Sequence, residues 1–204
     1  AFAELCAKSN FSLLDGASHP AEMAAQAAAL GLAGLGICDT NTLAGVVQAH
    51  VAAKELALPF AVGARVRVDD GAEYLVWPTD RASYGRLTAL LSRGRTLAPK
   101  GECWISRADL LTGAEGSVVA LAAPADMPAD FADRLRADAA ALDHRLPLPL
   151  HCAVACAMGG SDQRRLDLVA EAGVPLLATT APRYHAPERR RLAVPESGAV
   201  RTDR

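Results

Sequence analysis

Lys8, Ser9, Asn10 and Asp15 follow a short apolar stretch in the opening run FAELCAKSNFSLLDGASHP, residues 2–20. A strand that hands polar side chains to the loop before a helix builds the reactive face of β/α folds. The run LAGLGICDTNTLAGV, residues 32–46, repeats the plan and puts Asp39 at a strand end. A carboxylate there is a candidate for catalysis or metal binding, whereas an amine such as Lys8 only donates at neutral pH. Asp15 has two readings, a remnant of a catalytic site or the first half of an ordinary Asp-Gly turn.

The five histidines do not add up to a ligand set. His19 stands next to Pro20, where it caps or braces a helix. His50 lies on a helix with no ligand near it in sequence, and His144, His151 and His185 are scattered. His151 and Cys152 are neighbours on a strand, so their side chains point to opposite faces. The five cysteines are odd in number and show no C-x-x-C spacing, which argues against a disulfide framework or a structural zinc site. Cys6, Cys38 and Cys152 sit in apolar strands, as small hydrophobes in a reducing cytosol would.

These groups need a scaffold, and strand and helix signals alternate along the chain. Strands are expected at 2–7, 32–38, 60–68, 73–77, 117–122, 150–155 and 175–179. Helices are expected at 20–30, 42–56, 81–93, a short one opening at Ser106, 129–142 and 162–172. Asp69-Asp70-Gly71 marks a hairpin turn. Thr96 to Trp104 reads as a polar loop. Seven strands alternating with helices predict an α/β fold, a barrel or a doubly wound sheet. No dinucleotide-binding or phosphate-loop glycine motif follows any strand.

The chain has 204 residues, is 51% hydrophobic and only 4% aromatic, so its core is built from Ala, Leu and Val. A formal net charge of -2 argues against autonomous nucleic-acid binding, though not against membership in a larger DNA enzyme. The alanine-rich run 24–38 is broken by Gln26 and three glycines and is too short to span a bilayer. With no basic segment before it, no targeting signal is expected, and a cytoplasmic setting is. The first residue is Ala, which leaves trimming or an incomplete start open. One domain is expected over 1–191. Residues 192–204, LAVPESGAVRTDR, lose all periodicity and read as a disordered or aberrant tail. The three arginines at 189–191 read as solvated surface.

Three runs, FAELCAKSNFSLLDGASHP, ICDTNTLAGVVQAH and LLATTAPRYHAPERR, together resemble the PHP (polymerase and histidinol phosphatase) domain that opens bacterial C-family DNA polymerases. SNFSLLDGASHP, TDRASYGRLTALLS and KGECWISRADLL resemble its error-prone, translesion branch. The resemblance implies a distorted seven-stranded β/α barrel whose mouth, in active members, holds up to three metal ions. It also implies that this mouth is altered here. Where the family has His-x-His, this chain has Cys6 and Lys8. Asp39-Thr40 stands for Asp-His, Gly63-Ala64-Arg65 for Gly-x-Glu, and Ala181-Pro182-Arg183 for Asp-x-His. Asp15 and Asp39 remain from the acidic set, with Glu73 near a position where the family often has His.

Lys and Arg bring charge and no lone pair to positions that would have to chelate a cation. No metal, no cofactor and no catalytic residue is therefore expected. Two fates remain open for Lys8, Arg65 and Arg183: ion pairs with Asp15, Asp39 and Glu73, or an anion pocket. The resemblance implies a structural PHP domain of an error-prone polymerase, with the parent's palm and thumb as partners and DNA reached only through that parent. Polymerase chemistry belongs to a palm that 204 residues cannot include. The alternatives are a metal-dependent phosphoesterase or 3'-5' exonuclease, and a truncated remnant.

Overall fold

The computed structural model describes residues 1–156 and 160–193. Seven strands are β1 (Ala3–Ala7), β2 (Gly34–Thr40), β3 (Phe60–Arg67), β4 (Glu73–Pro78), β5 (Ser117–Ala122), β6 (His151–Ala155) and β7 (Leu176–Thr179). They follow one another across the sheet in chain order. Pairing is parallel for β1–β2, β5–β6 and β6–β7, and β4 runs antiparallel to both β3 and β5. The helices are α1 (Pro20–Ala29), α2 (Val46–Glu55), α3 (Arg81–Leu97), α4 (Arg107–Gly113), α5 (Phe131–Leu142), α6 (Asp162–Ala172) and the short α7 (Arg190–Ala193). The class is α/β, as the alternation of signals predicts.

Two compact units share the chain, Ala1–Ala61 with the segment that begins at Ala181, and Val62–Thr180. In the first, Ala24 and Ala27 of α1 and Ala49 and Ala53 of α2 meet Ala7, Leu35 and Ile37 of the strands, with Met23 and Leu58 closing the cluster. Alanine on both helices lets them approach closely, which is how a core with few aromatic rings fills its space. The N-terminus of α1 is set by Glu22, whose carboxylate accepts from the His19 N–H at 2.8 Å. His19 thus stands at the helix cap, with its Nδ1 3.2 Å from the Asn10 amide nitrogen.

In the second unit, Tyr74, Leu75 and Val76 of β4 are all buried, as expected for a strand covered on both faces. The Tyr74 hydroxyl donates to the buried Asp138 carboxylate of α5 at 2.6 Å, and Arg107 of α4 pairs with the same carboxylate. Burial pushes the Tyr74 hydroxyl's pKa up. Asp80 caps α3 by accepting from the Ser83 N–H at 2.7 Å, and Ser106 caps α4 by accepting from the Asp109 N–H at 3.1 Å. The Asp-Asp-Gly hairpin forms with Gly71 at φ +87°.

Most boundaries shift by one or two residues from the sequence reading, β2 among them at 34–40 rather than 32–38, and two helices shift by more. α2 begins at Val46 rather than 42, because the Thr42 hydroxyl accepts from the Ala44 N–H at 3.1 Å and folds a local turn. α3 runs to Leu97 rather than ending at 93. Gly94 allows this: a Cβ there would fall 2.7 Å from Ile105 Cγ1, so the returning chain packs directly on the helix backbone. Leu192 and Ala193, assigned above to the tail, complete α7. The remainder of the expected tail, 194–204, lies outside the described residues.

Candidate functional site

The loop from residue 8 to residue 19 joins β1 to α1, and its backbone is tied down along its length. The Asp15 and Gly16 N–H groups both donate to the Ser12 carbonyl, at 3.0 and 2.9 Å. Lys8 N–H donates to the Pro182 carbonyl at 2.9 Å, and Ala17 N–H donates to the Arg183 carbonyl at 2.7 Å. The segment after β7 is therefore laced to this loop on both sides. A Cβ at Gly16 would lie 1.9 Å from the Ser9 carbonyl oxygen, so only glycine lets the loop close.

Asp39, near the end of β2, is buried and reaches into this loop. Its Oδ1 accepts from the Ser9 N–H and the Ser12 hydroxyl, both at 2.7 Å. Its Oδ2 accepts from the Ser9 hydroxyl at 2.6 Å. Thr40, beside it, donates its N–H to the Ser12 hydroxyl at 3.0 Å. Gly45 keeps space open for the carboxylate, since a Cβ there would stand 2.9 Å from Asp39 Oδ2. Among the described residues Asp39 pairs with no cation, which corrects the expectation that it faces one of the three basic side chains. Serines were the overlooked partners. Ser9 and Ser12 sit in the polar run after β1, and that spacing alone does not say which carboxylate they serve.

Asp15 is where charge concentrates. Lys8 pairs with Oδ2, and Arg183 pairs with Oδ1 at 3.0 Å. Lys8 is buried and Arg183 is more than half exposed, so the inner cation is the one that depends on the carboxylate. The Asp15-Gly16 turn and the charged residue are thus the same feature. Cys6 is fully buried in β1, where its N–H donates to the Glu4 carboxylate at 2.8 Å. Ala181 holds a left-handed backbone, φ +44°, at the start of the segment that presents Arg183.

Arg65, in the second unit, is also buried. Its Nη1 donates to Glu73 Oε2 at 2.8 Å, while its Nε is buried without a hydrogen-bond partner. The pair is diagonal across the hairpin, because Glu73 stands directly opposite Arg67, which takes the other carboxylate oxygen. Arg67 was not anticipated, although its position two residues from Arg65 puts both on one strand face.

Other residues read as isolated turn out to be joined. His185 Nδ1 lies 2.8 Å from the buried Ser18 hydroxyl, which accepts from the His185 N–H at 2.9 Å. Arg189, read above as solvated, donates to Glu22 at 2.6 Å. The His19 N–H, with Arg189 and His185 nearby, holds the Glu22 carboxyl below its ordinary value.

A hydrolytic metal centre needs several neutral or anionic ligands converging on each ion. Among the described residues no three His, Cys, Asp or Glu side chains converge in that way. Cys152 and Cys156 do not form half of one either. Cys152 is buried, with burial pushing its thiol up to about 12, and Cys156 is exposed.

The family described as the PHP domain matches residues 4–144. This chain belongs to the PHP domain family. It is 43% identical over 199 residues to the error-prone DNA polymerase of Brucella abortus, covering 93% of this chain, and 42% identical over 196 residues to that of Caulobacter vibrioides, covering 94%. In both comparisons the PHP chain spans only 18% of the relative's length. Among solved structures it is similar to an amidohydrolase from Chromobacterium violaceum, determined with bound sulfate and no metal. There the TM-score is 0.69 at 19% identity, over 90% of this chain and 88% of that one, a likeness of fold. The PHP-type α/β fold expected from the opening motifs is the fold found.

Proposed function

We propose that this chain is a structural, metal-free PHP domain of an error-prone DNA polymerase. In this reading internal ion pairs and hydrogen bonds do the work that metal ions do in active members. The relatives' names support the parent, and the sharing of Asp15 by Lys8 and Arg183 carries the metal-free part. A protonated amine against a carboxylate satisfies it at close range, and a divalent ion would have to displace that buried amine from the carboxylate. Asp39 is committed to three donors in the same way.

The positions Cys6, Lys8, Asp15, Asp39, Thr40, Arg65, Ala181 and Arg183 would then be structural counterparts of a metal site rather than a working one. The domain would cover residues 1–191. Its partners would be the palm and thumb of the parent, which would reach damaged DNA in the cytoplasm and perform translesion synthesis there. The ion pairs favour self-neutralisation over an open anion pocket, and the ligand set argues against a phosphoesterase or 3'-5' exonuclease.

The test is elemental analysis of protein purified from zinc- and manganese-supplemented cultures, with release of nucleotide from a 3'-labelled oligonucleotide measured alongside. Metal well below one ion per chain and no release are expected. Near-stoichiometric metal, or release abolished by a chelator, would overturn the proposal.

A further inference from the structure

The segment after β7 returns to the first loop and is fastened there by one serine and one histidine. Ser18 stands just before the α1 cap and is fully buried. Its carbonyl accepts from the Asn10 N–H at 2.8 Å, so its backbone belongs to the loop. Its hydroxyl oxygen accepts from the His185 N–H at 2.9 Å and lies 2.8 Å from Nδ1 of the same residue. A hydroxyl carries one proton, and away from water that proton needs an acceptor. Among the described residues the acceptor within its reach is Nδ1 of His185. Nδ1 therefore carries no proton, and the ring proton is on Nε2.

That assignment makes the contact sensitive to a second proton. Both nitrogens of an imidazolium are donors, so a charged ring has no lone pair for the Ser18 hydroxyl. The hydroxyl proton would then lose its acceptor in an enclosed place, which is costly. Glu22 offers the charged ring another partner, because its Oε2 lies 3.7 Å from Nδ1. The same carboxylate accepts from the His19 N–H at 2.8 Å and from Arg189, in the turn Pro187–Arg189, at 2.6 Å. The ring thus faces one carboxylate of α1, with the Arg189 guanidinium and the His19 imidazole bearing on that carboxylate in turn. The His185 side chain is 22% exposed, so a proton can reach it from solvent while Ser18 stays enclosed.

We infer that Ser18 and His185 form a proton-sensitive clasp, closed while the imidazole is neutral and opened when protonation turns His185 from Ser18 to Glu22. Closed, the clasp holds the loop of residues 8–19 against the segment that carries Arg183. Ala17 reports on the join, since its N–H donates to the Arg183 carbonyl at 2.7 Å. Imidazoles as a class change charge between about pH 5 and pH 8, which sets the range in which such a device works. The clasp stands apart from the polymerase reading, because it needs only residues of this chain.

Amide hydrogen exchange of the purified chain, read by NMR as protection factors at about pH 8 and about pH 5.5, tests the clasp. Protection of the Ala17 and His185 N–H groups is expected to fall at least about tenfold at the lower pH. The variant H185N places an amide oxygen where Nδ1 stood and does not titrate, so its Ala17 protection should be alike at both pH values. The variant S18A should give the low Ala17 protection at both. Ring nitrogen chemical shifts of the unaltered chain should place the His185 proton on Nε2 at the higher pH. A proton on Nδ1 there, equal protection at both pH values in the unaltered chain, or the same fall in H185N would overturn the inference. The metal and hydrolysis measurements are unaffected by any of these results, so the two readings fail separately.

Discussion

Ser9 grips Asp39 twice: its N–H donates to one carboxylate oxygen at 2.7 Å and its hydroxyl to the other at 2.6 Å. This two-point hold fixes the first loop after β1 to the end of β2. Truncation in D39A would leave a buried N–H and two hydroxyls without their acceptor, at a cost of about 3 kcal/mol. Urea denaturation should show the midpoint falling with little change in slope.

Lys8 and Asp15 should behave as a unit. D15A takes the carboxylate away from a buried amine and is expected to destabilise by about 2 kcal/mol, discounted because Asp15 is one-quarter exposed. The double variant K8M/D15N removes both charges together and should recover most of that loss. A double-mutant cycle with K8M and D15N checks it. Additive losses would mean that the two side chains are not coupled.

Glu22 gives a pH signature. Its carboxyl is depressed first by the His19 N–H, then by Arg189 and His185, against some opposing burial. A value depressed by folding adds stability that is present above the ordinary 4.5 and is lost as pH falls through the depressed value. The melting temperature of E22Q should therefore lie below that of the unaltered chain at pH 7, and the gap should close as pH falls below 4.5.

Thiol reactivity should separate the five cysteines. Cys156 is exposed, whereas Cys6, Cys38 and Cys152 are buried, and burial pushes Cys103 up as well as Cys152. Brief iodoacetamide treatment at pH 8 should label Cys156 first, with Cys6, Cys38 and Cys152 labelled only in denaturant. Mass spectrometry of the peptides reads the order directly.

Periodicity and turn chemistry made the frame legible. The strand at 117–122 and the helix at 162–172 match residue for residue. The misses came where a side chain or a later segment competes with local preference. Thr42 turned the chain before α2 could start, and the packing of Ile105 on Gly94 let α3 continue. At the candidate site, the substituted positions could be read one by one, but the partners could not. Nothing in the spacing says that Asp39 chooses serines, that Glu73 serves Arg67 as well as Arg65, or that Ser18 meets His185 across 167 positions of sequence. Such pairings are set by tertiary geometry.

The shared carboxylate of Asp15 acts as a double latch. Exchanging Lys8 for an imidazole would not free Asp15, which Arg183 would still hold, and exchanging Arg183 alone would leave it with Lys8. No single exchange at these two positions therefore clears the carboxylate for another cation. Emptying it takes both changes together, so a lone imidazole at either place would meet a neighbour that is already spoken for.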